Sequence, residues 1–355
     1  MSLDKMRERI NGIDDDLLRL LNERVRIAVD IGHLKRQTGS EVYVPGREKE
    51  VLKRVTERNP GPMTAMAVQS VYREIMSAAL ALEKSLKVAF LGPPATFTHQ
   101  AARSRFGGSV EYHSCETIDD VFDAVQKDQA DYGVVPVENS TEGAVNVTLD
   151  RLGDTALKIY AEIYLPISLC LLANCPRDSI KSIYSKMEVF GQCRAWLQRE
   201  MSGIECKPAT STTRAAELAA AEPNTAAIGS RLAGELYGLN LLEPNIQDLG
   251  GNTTRFLVLG HRIGDITGED KTSLLFAVQD KAGTLYSALE AFKHNNLNMS
   301  KIESRPSRNK AWEYVFFVDL DGHAEDHKVK AALAEMREHC TLLTVLGSYP
   351  RARGI

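Results

Sequence analysis

The spacing of hydrophobic residues changes twice along the chain, and the first segment has purely helical spacing. Apolar residues recur there every three or four positions, which predicts one long amphipathic helix, at Ile10, Ile13, Leu17, Leu20, Leu21, Ala28 and Ile31. This helix is predicted to run from near Asp4 to Thr38 and to end at Gly39. Two more helices are predicted, at residues 45–59 and 64–84.

The first predicted helix would be roughly 50 Å long at about 1.5 Å per residue. Two short helices of the same chain are too few to cover such a length. We therefore predict that residues 1–86 form an all-helical domain in which two copies of the chain intertwine, giving a homodimer or a higher homo-oligomer.

From residue 87 onward, short apolar strands alternate with helices. Strands are predicted at residues 88–91, 132–137, 167–172 and 225–229, and helices at 118–127, 194–201 and 214–221. The alternation predicts an α/β domain with a mainly parallel sheet. The length of this segment, residues 87–265, indicates two lobes with a cleft between them.

The last segment, which follows a polar linker at residues 264–271, has the element order β-α-β-β-α-β. Its predicted strands lie at 272–279, 298–305, 311–320 and 342–349, and its helices at 284–294 and 325–339. This order predicts a ferredoxin-like domain over residues 270–350. The predicted fold class is therefore multidomain: all-α, then two-lobed α/β, then ferredoxin-like.

The amino-acid composition limits the kinds of partner and cofactor that we expect the protein to bind. The 355 residues include 43 basic and 47 acidic ones without a basic cluster, so we expect no nucleic-acid partner. No apolar stretch reaches the length of a membrane helix, and the N-terminus is charged where a secretory signal is apolar. We therefore expect no membrane partner and a cytoplasmic location. The six cysteines form no Cys-x-x-Cys pair, which favours reduced thiols and neither a metal nor another cofactor.

Two cations interrupt the apolar face of the first helix. Arg24 and Lys35 lie on the same helical row as four apolar residues, Leu17, Leu21, Ala28 and Ile31. A buried cation is costly unless an anion meets it. The two side chains either reach the rim of the helix interface, or pair with Asp or Glu of the partner helix, or bind an anionic ligand.

With their neighbours, these cations resemble the all-helical chorismate mutase family. The matching residues are Arg7 in Met-Arg-Glu-Arg-Ile, Arg24 in Asn-Glu-Arg, Lys35 in Gly-His-Leu-Lys, and Arg47-Glu48 in Pro-Gly-Arg-Glu. The resemblance implies a charged mould for chorismate, a dicarboxylate that rearranges to prephenate in one pericyclic step. It implies that Arg24, Arg47 and Arg7 of the partner subunit hold carboxylates. Lys35 would donate to the ether oxygen, and Glu48 would accept from the ring hydroxyl.

The chain departs from this family at three positions. Val44 stands where some members have Asp, Ala79 where some have Ser, and Glu83 where some have a Gln that donates to the ether oxygen. A carboxyl group donates a hydrogen bond only when it is protonated. Glu83 is therefore expected either to be held neutral by burial or to limit the mutase activity at high pH.

Four polar clusters occupy the ends of predicted elements in the central segment. They contain Thr96 in Pro-Ala-Thr-Phe-Thr, Asn139-Ser140 in Val-Glu-Asn-Ser, Thr212 in Ser-Thr-Thr, and Thr254-Arg255 in Thr-Thr-Arg-Phe. Each cluster alone is explained by a turn, a helix N-cap or the start of a strand. Their joint occurrence resembles the prephenate dehydratase domain, over residues 87 to about 262.

The resemblance to prephenate dehydratases implies roles for these residues. Prephenate loses carboxylate as CO2 and its ring hydroxyl as water, so the enzyme must assist departure of the hydroxyl. The resemblance implies that Thr254 contacts the ring hydroxyl or a carboxylate, either as the proton donor or as an orienting group. It also implies that Arg255 binds or orients a carboxylate. The implied lining of the cleft consists of Thr96, Asn139, Ser140 and Thr212.

The C-terminal segment resembles the ACT regulatory domain, in Gly-Thr-Leu-Tyr at 283–286 and in Lys-Ile-Glu-Ser-Arg-Pro at 301–306. The resemblance implies that L-phenylalanine binds near Gly283, Leu285 and Asn298 and acts as an effector. It also implies a signal path through Glu303, Ser304 and Arg305. A dimerisation module that binds no ligand is the alternative.

These resemblances imply an enzyme with two activities, isomerase and lyase, that converts chorismate to prephenate and prephenate to phenylpyruvate under feedback by phenylalanine. One alternative is a dehydratase whose helical arm serves only in dimerisation, as Val44 and Ala79 suggest. Another is a non-catalytic amino-acid sensor, since a two-lobed cleft also suits binding proteins. The Thr254 cluster argues against a sensor.

Overall fold

The computed structural model describes residues 2–38, 43–307 and 314–352. The chain folds as two compact units. The helical unit comprises Met1–Lys87 together with Arg105–Glu111, and the second unit comprises Val88–Ser104 and Tyr112–Ile355. Residues 105–111 thus belong to the helical unit although the sequence pattern assigns them to the α/β segment.

Three helices form most of the helical unit: α1 (Leu3–Thr38), α2 (Pro45–Glu57) and α3 (Ala65–Glu83). Their positions match the prediction, while Gly39 lies outside the described residues. Pro45 begins α2, where a missing N–H is harmless, and the Thr64 hydroxyl caps α3 by accepting from the Ala67 N–H at 3.2 Å. The apolar side of α1 remains at least half exposed at Leu3, Ile10, Ile13, Leu17, Leu18 and Leu20.

The central part of the second unit alternates strands and helices. Its first half contains β1 (Lys87–Leu91), α4 (Phe97–Phe106), β2 (Glu111–Cys115), α5 (Ile118–Gln126), β3 (Tyr132–Asn139), β4 (Gly143–Ala144), α6 (Asn146–Gly153) and β5 (Lys158–Pro166). Its second half contains β6 (Cys170–Ala173), β7 (Ser182–Ser185), α7 (Met187–Gln192), α8 (Arg194–Glu200), β8 (Glu205–Pro208), α9 (Thr212–Ala221), β9 (Thr225–Gly229), α10 (Arg231–Tyr237), β10 (Asn240–Glu243) and β11 (Thr253–Gly260).

These strands form two sheets, one for each lobe. The order in the first lobe is β5-β11-β3-β1-β2, and the order in the second lobe is β10-β6-β9-β7-β8. The prediction of a mainly parallel sheet is wrong. Strand β11 runs antiparallel to both β3 and β5, and β6 runs antiparallel to β9 and β10, because the chain crosses between the lobes and returns.

The crossing point explains one misplaced strand. A strand was predicted at residues 167–172, but β5 ends at Pro166 and the second lobe begins with β6 at Cys170. The residues between them connect the two sheets, and the Ile167 N–H donates to the Asn252 carbonyl of the returning chain at 2.8 Å. The segment that crosses to the second lobe and the segment that returns from it therefore lie side by side.

The C-terminal part has the predicted ferredoxin-like order. It contains β12 (Asp270–Val278), α11 (Thr284–His294), β13 (Met299–Pro306), β14 (Tyr314–Asp321), α12 (His327–Arg337) and β15 (Cys340–Pro350). The strand order is β13-β14-β12-β15, and β15 continues the sheet of the first lobe by pairing with β5 at Gly347 and Ile159. A Cβ atom at Gly347 would collide with the Ile159 carbonyl, so this close approach requires glycine. Lys271, predicted in the linker, is instead buried on β12.

Candidate active sites

The helical unit contains a cavity of about 390 Å³ that collects most of the predicted mutase residues. Its lining includes Arg24, Lys35, Arg47, Glu48 and Glu83. Val44 and Ala79, the two departures from the family pattern, also lie on its wall. Further lining residues that the sequence pattern does not single out include Tyr43, Arg54, Arg73 and Arg105.

The charge on this lining suits an anion with more than one carboxylate. Six cations face two carboxylates, the cations being Arg24, Lys35, Arg47, Arg54, Arg73 and Arg105. Burial lowers the pKa of Arg24, and Arg47 and Arg54 add to this while Tyr72 opposes it. Because an arginine keeps its proton even so, an anionic ligand would relieve the repulsion among these cations.

Gly32 of α1 sets the position of Glu83. A Cβ atom at Gly32 would collide with the Glu83 side chain, so that side chain lies directly across the glycine. Gly32 is three residues before Lys35 and therefore on the same helix face. The glycine thus makes room for a carboxyl group beside Lys35 and is a site residue that hydrophobic spacing does not reveal.

Arg7 is absent from this lining. Its side chain is exposed on α1 and pairs with Asp4 at 3.9 Å. Within one chain, therefore, the structure brings together Arg24, Lys35, Arg47, Glu48 and Glu83 without Arg7.

Thr254 and Asn139 meet at one edge of the sheet in the first lobe. Thr254, near the start of β11, is the register partner of Asn139, the last residue of β3. The Asn139 Nδ2 donates to Thr254 Oγ1 at 2.8 Å and to Asn252 Oδ1 at 2.8 Å. The Asn139 Oδ1 accepts from the backbone N–H groups of Thr141 and Glu142, at 2.9 and 3.0 Å.

These bonds show that Asn139 is the donor and Thr254 the acceptor in the bond between them. Since backbone N–H groups only donate, the Asn139 oxygen must be the atom that faces them, and the amide nitrogen must face Thr254. Thr254 Oγ1 is then an acceptor toward Asn139, and its own proton points elsewhere. The Thr254 hydroxyl hydrogen is therefore available to a partner other than Asn139.

The other predicted cleft residues lie around this edge. Ser140 is exposed and ties β3 to the returning chain, because its N–H donates to the Thr253 carbonyl at 2.9 Å and its Oγ accepts from the Thr253 N–H at 3.0 Å. Thr96 caps α4 by accepting from the His99 N–H at 3.3 Å. Because β1 is adjacent to and parallel with β3, the loop that carries Thr96 leaves the same edge.

Thr212 is buried at the first turn of α9, and Ser211 provides the N-cap by accepting from the Arg214 N–H at 2.9 Å. The neighbouring Thr213 hydroxyl donates to the Pro94 carbonyl at 2.7 Å, and the Ser230 hydroxyl donates to the Ala95 carbonyl at 2.8 Å. The second lobe therefore contacts the loop that carries Thr96.

His99, which the sequence analysis left without a role, is a packed and uncharged residue. Its ring stacks on Phe90 with centroids 4.4 Å apart, and its Nδ1 accepts from the Ala95 N–H at 3.1 Å. Burial, aided by Arg103, lowers the pKa of His99 to about 4. It supports the loop of Thr96 as a neutral imidazole.

The family resemblance implies that Arg255 contacts a carboxylate of the substrate. In the structure its guanidinium instead contacts side chains of the protein. Its guanidinium lies 2.9 Å from Glu162 of β5 and 2.5 Å from Asp319 of β14, and it donates to the Tyr349 hydroxyl at 3.0 Å. Lys271 also pairs with Glu162, at 2.8 Å. The buried cluster contains two cations and two carboxylates and joins the first lobe to the ferredoxin-like domain.

The predicted effector residues lie at two places in the ferredoxin-like domain. Gly283 precedes α11 with a positive φ of 84°, a conformation that favours glycine, and Leu285 packs partly into the core beneath that helix. Asn298 donates to Asp321 at 3.1 Å. On the edge strand β13, Glu303 is half-buried and Ser304 is exposed.

Arg305 of β13 pairs with Asp150 at 3.0 Å and also donates to Asn146. The nearby Lys301 pairs with Glu138 of β3 at 2.7 Å. Through these two cations, the strand with the predicted signal path contacts the lobe that carries Asn139.

Among the described residues there is no group of three or more His, Cys, Asp or Glu side chains arranged to hold a metal ion. The described helices also include none that is long and apolar enough to cross a membrane.

Fold and sites together define a multidomain enzyme: an all-helical domain with a cationic cavity, a two-lobed α/β domain and a C-terminal regulatory fold. Family comparison gives the same three parts. Residues 6–84 match the model of chorismate mutase type II, residues 88–263 that of prephenate dehydratase, and residues 272–338 that of the ACT domain.

The chain belongs to the family of bifunctional chorismate mutase/prephenate dehydratases. The bifunctional chorismate mutase/prephenate dehydratase of Aquifex aeolicus is 47% identical over 99% of this chain and 98% of its own. A prephenate dehydratase from Arthrobacter aurescens, solved in complex with L-Phe, is 33% identical with a TM-score of 0.67, covering 75% of this chain and 90% of its own. GqqA, described as a novel type of quorum-quenching acylase, is 27% identical with a TM-score of 0.68, covering 75% of this chain and 98% of its own.

Proposed function

We propose that this chain converts chorismate to prephenate in its helical domain and prephenate to phenylpyruvate, CO2 and water in its α/β domain. The observation that carries the proposal is the presence in one chain of a cationic cavity lined by Arg24, Lys35, Arg47, Glu48 and Glu83 and a separate cluster in which Asn139 orients Thr254. Neither cluster has an obvious use in a sensor.

The mutase step needs a mould rather than a nucleophile. Arg24 and Arg47 hold the carboxylates of chorismate, Lys35 donates to the breaking ether bond, and Glu48 accepts from the ring hydroxyl. Held in this way, the substrate keeps the compact conformation from which the bonds rearrange, and the cations stabilise the negative charge that develops on the ether oxygen.

A second copy of the chain completes the mutase cavity. Arg7 lies outside the cavity of its own chain, and apolar residues on one side of α1 are at least half exposed, among them Leu3, Ile10, Ile13 and Leu17. Burying that face against the α1 helix of a partner would remove apolar surface from water and supply Arg7 of the partner subunit.

Glu83 should give the mutase an unusual dependence on pH. Its carboxyl group donates to the ether oxygen only while it is protonated, so the mutase rate should fall as rising pH removes that proton. The Glu83→Gln variant has an amide donor at all pH values, so its rate should be independent of pH over the same range. The measurement is kcat/KM for chorismate between about pH 5 and 9 in both proteins. A flat wild-type profile that the substitution leaves unchanged would contradict this assignment.

The dehydratase step combines protonation with the loss of CO2. The ring hydroxyl of prephenate leaves as water by taking a proton. At the same time the carboxylate leaves as CO2, and the electron pair of the broken carbon–carbon bond completes the aromatic ring. Thr254 directs its hydroxyl hydrogen to the leaving oxygen. Asn139 keeps that hydrogen pointed outward, and Thr96, Ser140 and Thr212 border the cleft.

The experiment is to feed chorismate to the purified full-length chain and to follow chorismate loss and phenylpyruvate release separately. The wild type should release phenylpyruvate, and the Thr254→Ala variant should accumulate prephenate. A chain that consumes only prephenate would indicate that the helical arm serves in dimerisation alone.

L-Phenylalanine is the proposed effector of the ACT domain, supported by the bound L-Phe in the related Arthrobacter aurescens dehydratase. The binding residues are Gly283, Leu285 and Asn298, and the signal passes along Glu303, Ser304 and Arg305.

A cytoplasmic location is also proposed for the protein, because all six cysteines are free thiols, as expected in a reducing compartment.

Replacing Leu285 with Asp should abolish phenylalanine binding, because a charge would replace an apolar contact beside the Gly283 turn. Isothermal calorimetry on the full-length protein should show saturable binding to the wild type and none to Leu285→Asp. Because Leu285 also packs into the core, thermal unfolding and the smaller change Leu285→Ala serve as controls. Wild-type affinity in a folded Leu285→Asp variant would exclude this site.

A further inference from the structure

Residues 105–111 comprise the last two residues of α4 and the segment after it, and they are anchored on α3 of the helical unit. Gly107 has a positive φ of 76°, and a Cβ atom there would collide with Ser77 of α3. The Gly108 N–H donates to Glu74 at 3.0 Å, and the Ser109 N–H donates to the Ser77 hydroxyl at 3.1 Å. These contacts fix the position of the two residues immediately before the glycine.

Those two residues, Arg105 and Phe106, reach the mutase cavity. Phe106 is 1% exposed and packs on Tyr43, with ring centroids 4.9 Å apart. The Arg105 guanidinium lies over the same Tyr43 ring, 5.7 Å from its centroid. Tyr43 is thus contacted by an aromatic ring and a cation that come from outside the residues matched to chorismate mutases, 6–84.

Arg105 and Tyr43 both contact Glu48, the predicted acceptor of the ring hydroxyl. The Arg105 Nη2 lies 3.5 Å from Glu48 Oε2, and the Tyr43 hydroxyl donates to the same oxygen at 3.0 Å. The side chains of Arg105 and Glu48 are only 21% and 10% exposed, so solvent screens this pair less than a surface ion pair. Both contacts fall on one oxygen, which orients the carboxylate.

We propose that Arg105 is a positioning residue of the mutase site. With Tyr43 it holds Oε2 of Glu48, so that Oε1 is the oxygen that accepts from the ring hydroxyl of the substrate. This inference rests on the proposed mutase function, and it assigns part of the mutase site to a residue within the dehydratase match, 88–263.

The test is steady-state kinetics of the full-length Arg105→Ala variant. The mutase kcat should fall about 10- to 100-fold, since supporting contacts to a site residue have effects of this size, while KM for chorismate changes less. Dehydratase activity on added prephenate should stay within about twofold of wild type. Arg103→Ala is the matched control, because Arg103 lies two residues earlier on the same helix and is absent from the cavity lining.

A double-mutant cycle with Glu48→Gln separates positioning from a structural effect. If Arg105 acts through Glu48, adding Arg105→Ala to Glu48→Gln should change the mutase rate less than about twofold. Arg105→Lys keeps the charge without the planar guanidinium and should recover part of the rate, and it replaces Arg105→Ala if that protein fails to fold.

Three results would overturn the inference: a mutase rate of Arg105→Ala within about twofold of wild type, an equal loss in the Glu48→Gln background, or equal losses for Arg105→Lys and Arg105→Ala in folded proteins. A wild-type chain without mutase activity would instead overturn the proposed function itself.

Discussion

The Asn139→Asp variant should lose dehydratase activity by about 10²- to 10³-fold in kcat, although Asp and Asn have almost the same shape. The new carboxylate can still accept from the backbone N–H groups of Thr141 and Glu142, so the turn is preserved. Its other oxygen, however, can only accept. It would therefore draw the Thr254 hydroxyl proton toward itself and away from the leaving hydroxyl of prephenate.

This prediction is checked by measuring phenylpyruvate formation from added prephenate, with the mutase rate of the same protein as the internal control. Asn139→Ala should lose less activity, since Thr254 is then free to turn its proton toward the substrate. Glu142→Gln is the matched control in the same turn, because Glu142 bonds to Asn139 through its backbone N–H, which the substitution keeps. The double variant Asn139→Asp/Thr254→Ala should be no slower than Thr254→Ala, because both changes remove one donor. Multiplying effects would show that Asn139 does not act through Thr254.

The sequence indicates that Arg24 and Lys35 lie close together because both residues are on one face of a single helix. Arg24 and Lys35 are both on α1, and the spacing that places them on the apolar row also places them on the cavity. Arg105 is different. It is distant from α1 in the chain and reaches the cavity through tertiary contacts of residues 107–109, which local periodicity does not report.

The two adjacent residues Thr254 and Arg255 show how strand geometry limits inference from a motif. Both belong to a recognisable triplet with Phe256, and the resemblance implied that both contact the substrate. On a strand, however, successive side chains point to opposite faces of the sheet. Thr254 contacts Asn139, while Arg255 contacts Glu162 and Asp319. The alternation of side chains along a strand therefore argues against a contact of both residues with the same substrate.

The element order of the ferredoxin-like domain was predictable, and its junction with the first lobe was not. Residues 264–271 have the polarity of a linker, yet Asp270 and Lys271 are buried. Asp270 accepts from the Thr267 and Gly268 N–H groups at 2.8 and 2.9 Å, and Lys271 pairs with Glu162. Burial of the Lys271 charge depends on Glu162, which is more than 100 positions away in the chain, so local polarity predicts exposure instead.

The Arg255→Met variant should destabilise the second unit by about 3–5 kcal/mol, because it leaves buried carboxylates without their cation. Burial disfavours charge at Arg255, but Tyr349, Asp319 and Glu162 outweigh it and hold the pKa of Arg255 well above its ordinary value. Thermal unfolding of the full-length protein should show a midpoint at least about 5 °C lower. Arg214→Met is the matched control, since Arg214 forms an exposed pair with Glu217 at 2.9 Å.

The double variant Arg255→Met/Asp319→Asn tests whether charge balance is the cause. It removes one cation and one carboxylate and leaves Lys271 paired with Glu162, so it should be more stable than Arg255→Met alone. Burial raises the pKa of Asp319, but Arg255, Ser273 and Lys271 outweigh it, so the pKa is lower than in the unfolded chain. The stability that this carboxylate contributes is therefore present above its unfolded pKa and is lost as pH falls through the folded one. The stability difference between wild type and Asp319→Asn should shrink over that acid range. A double variant no more stable than Arg255→Met would show that packing, and not charge, holds the two domains at this junction.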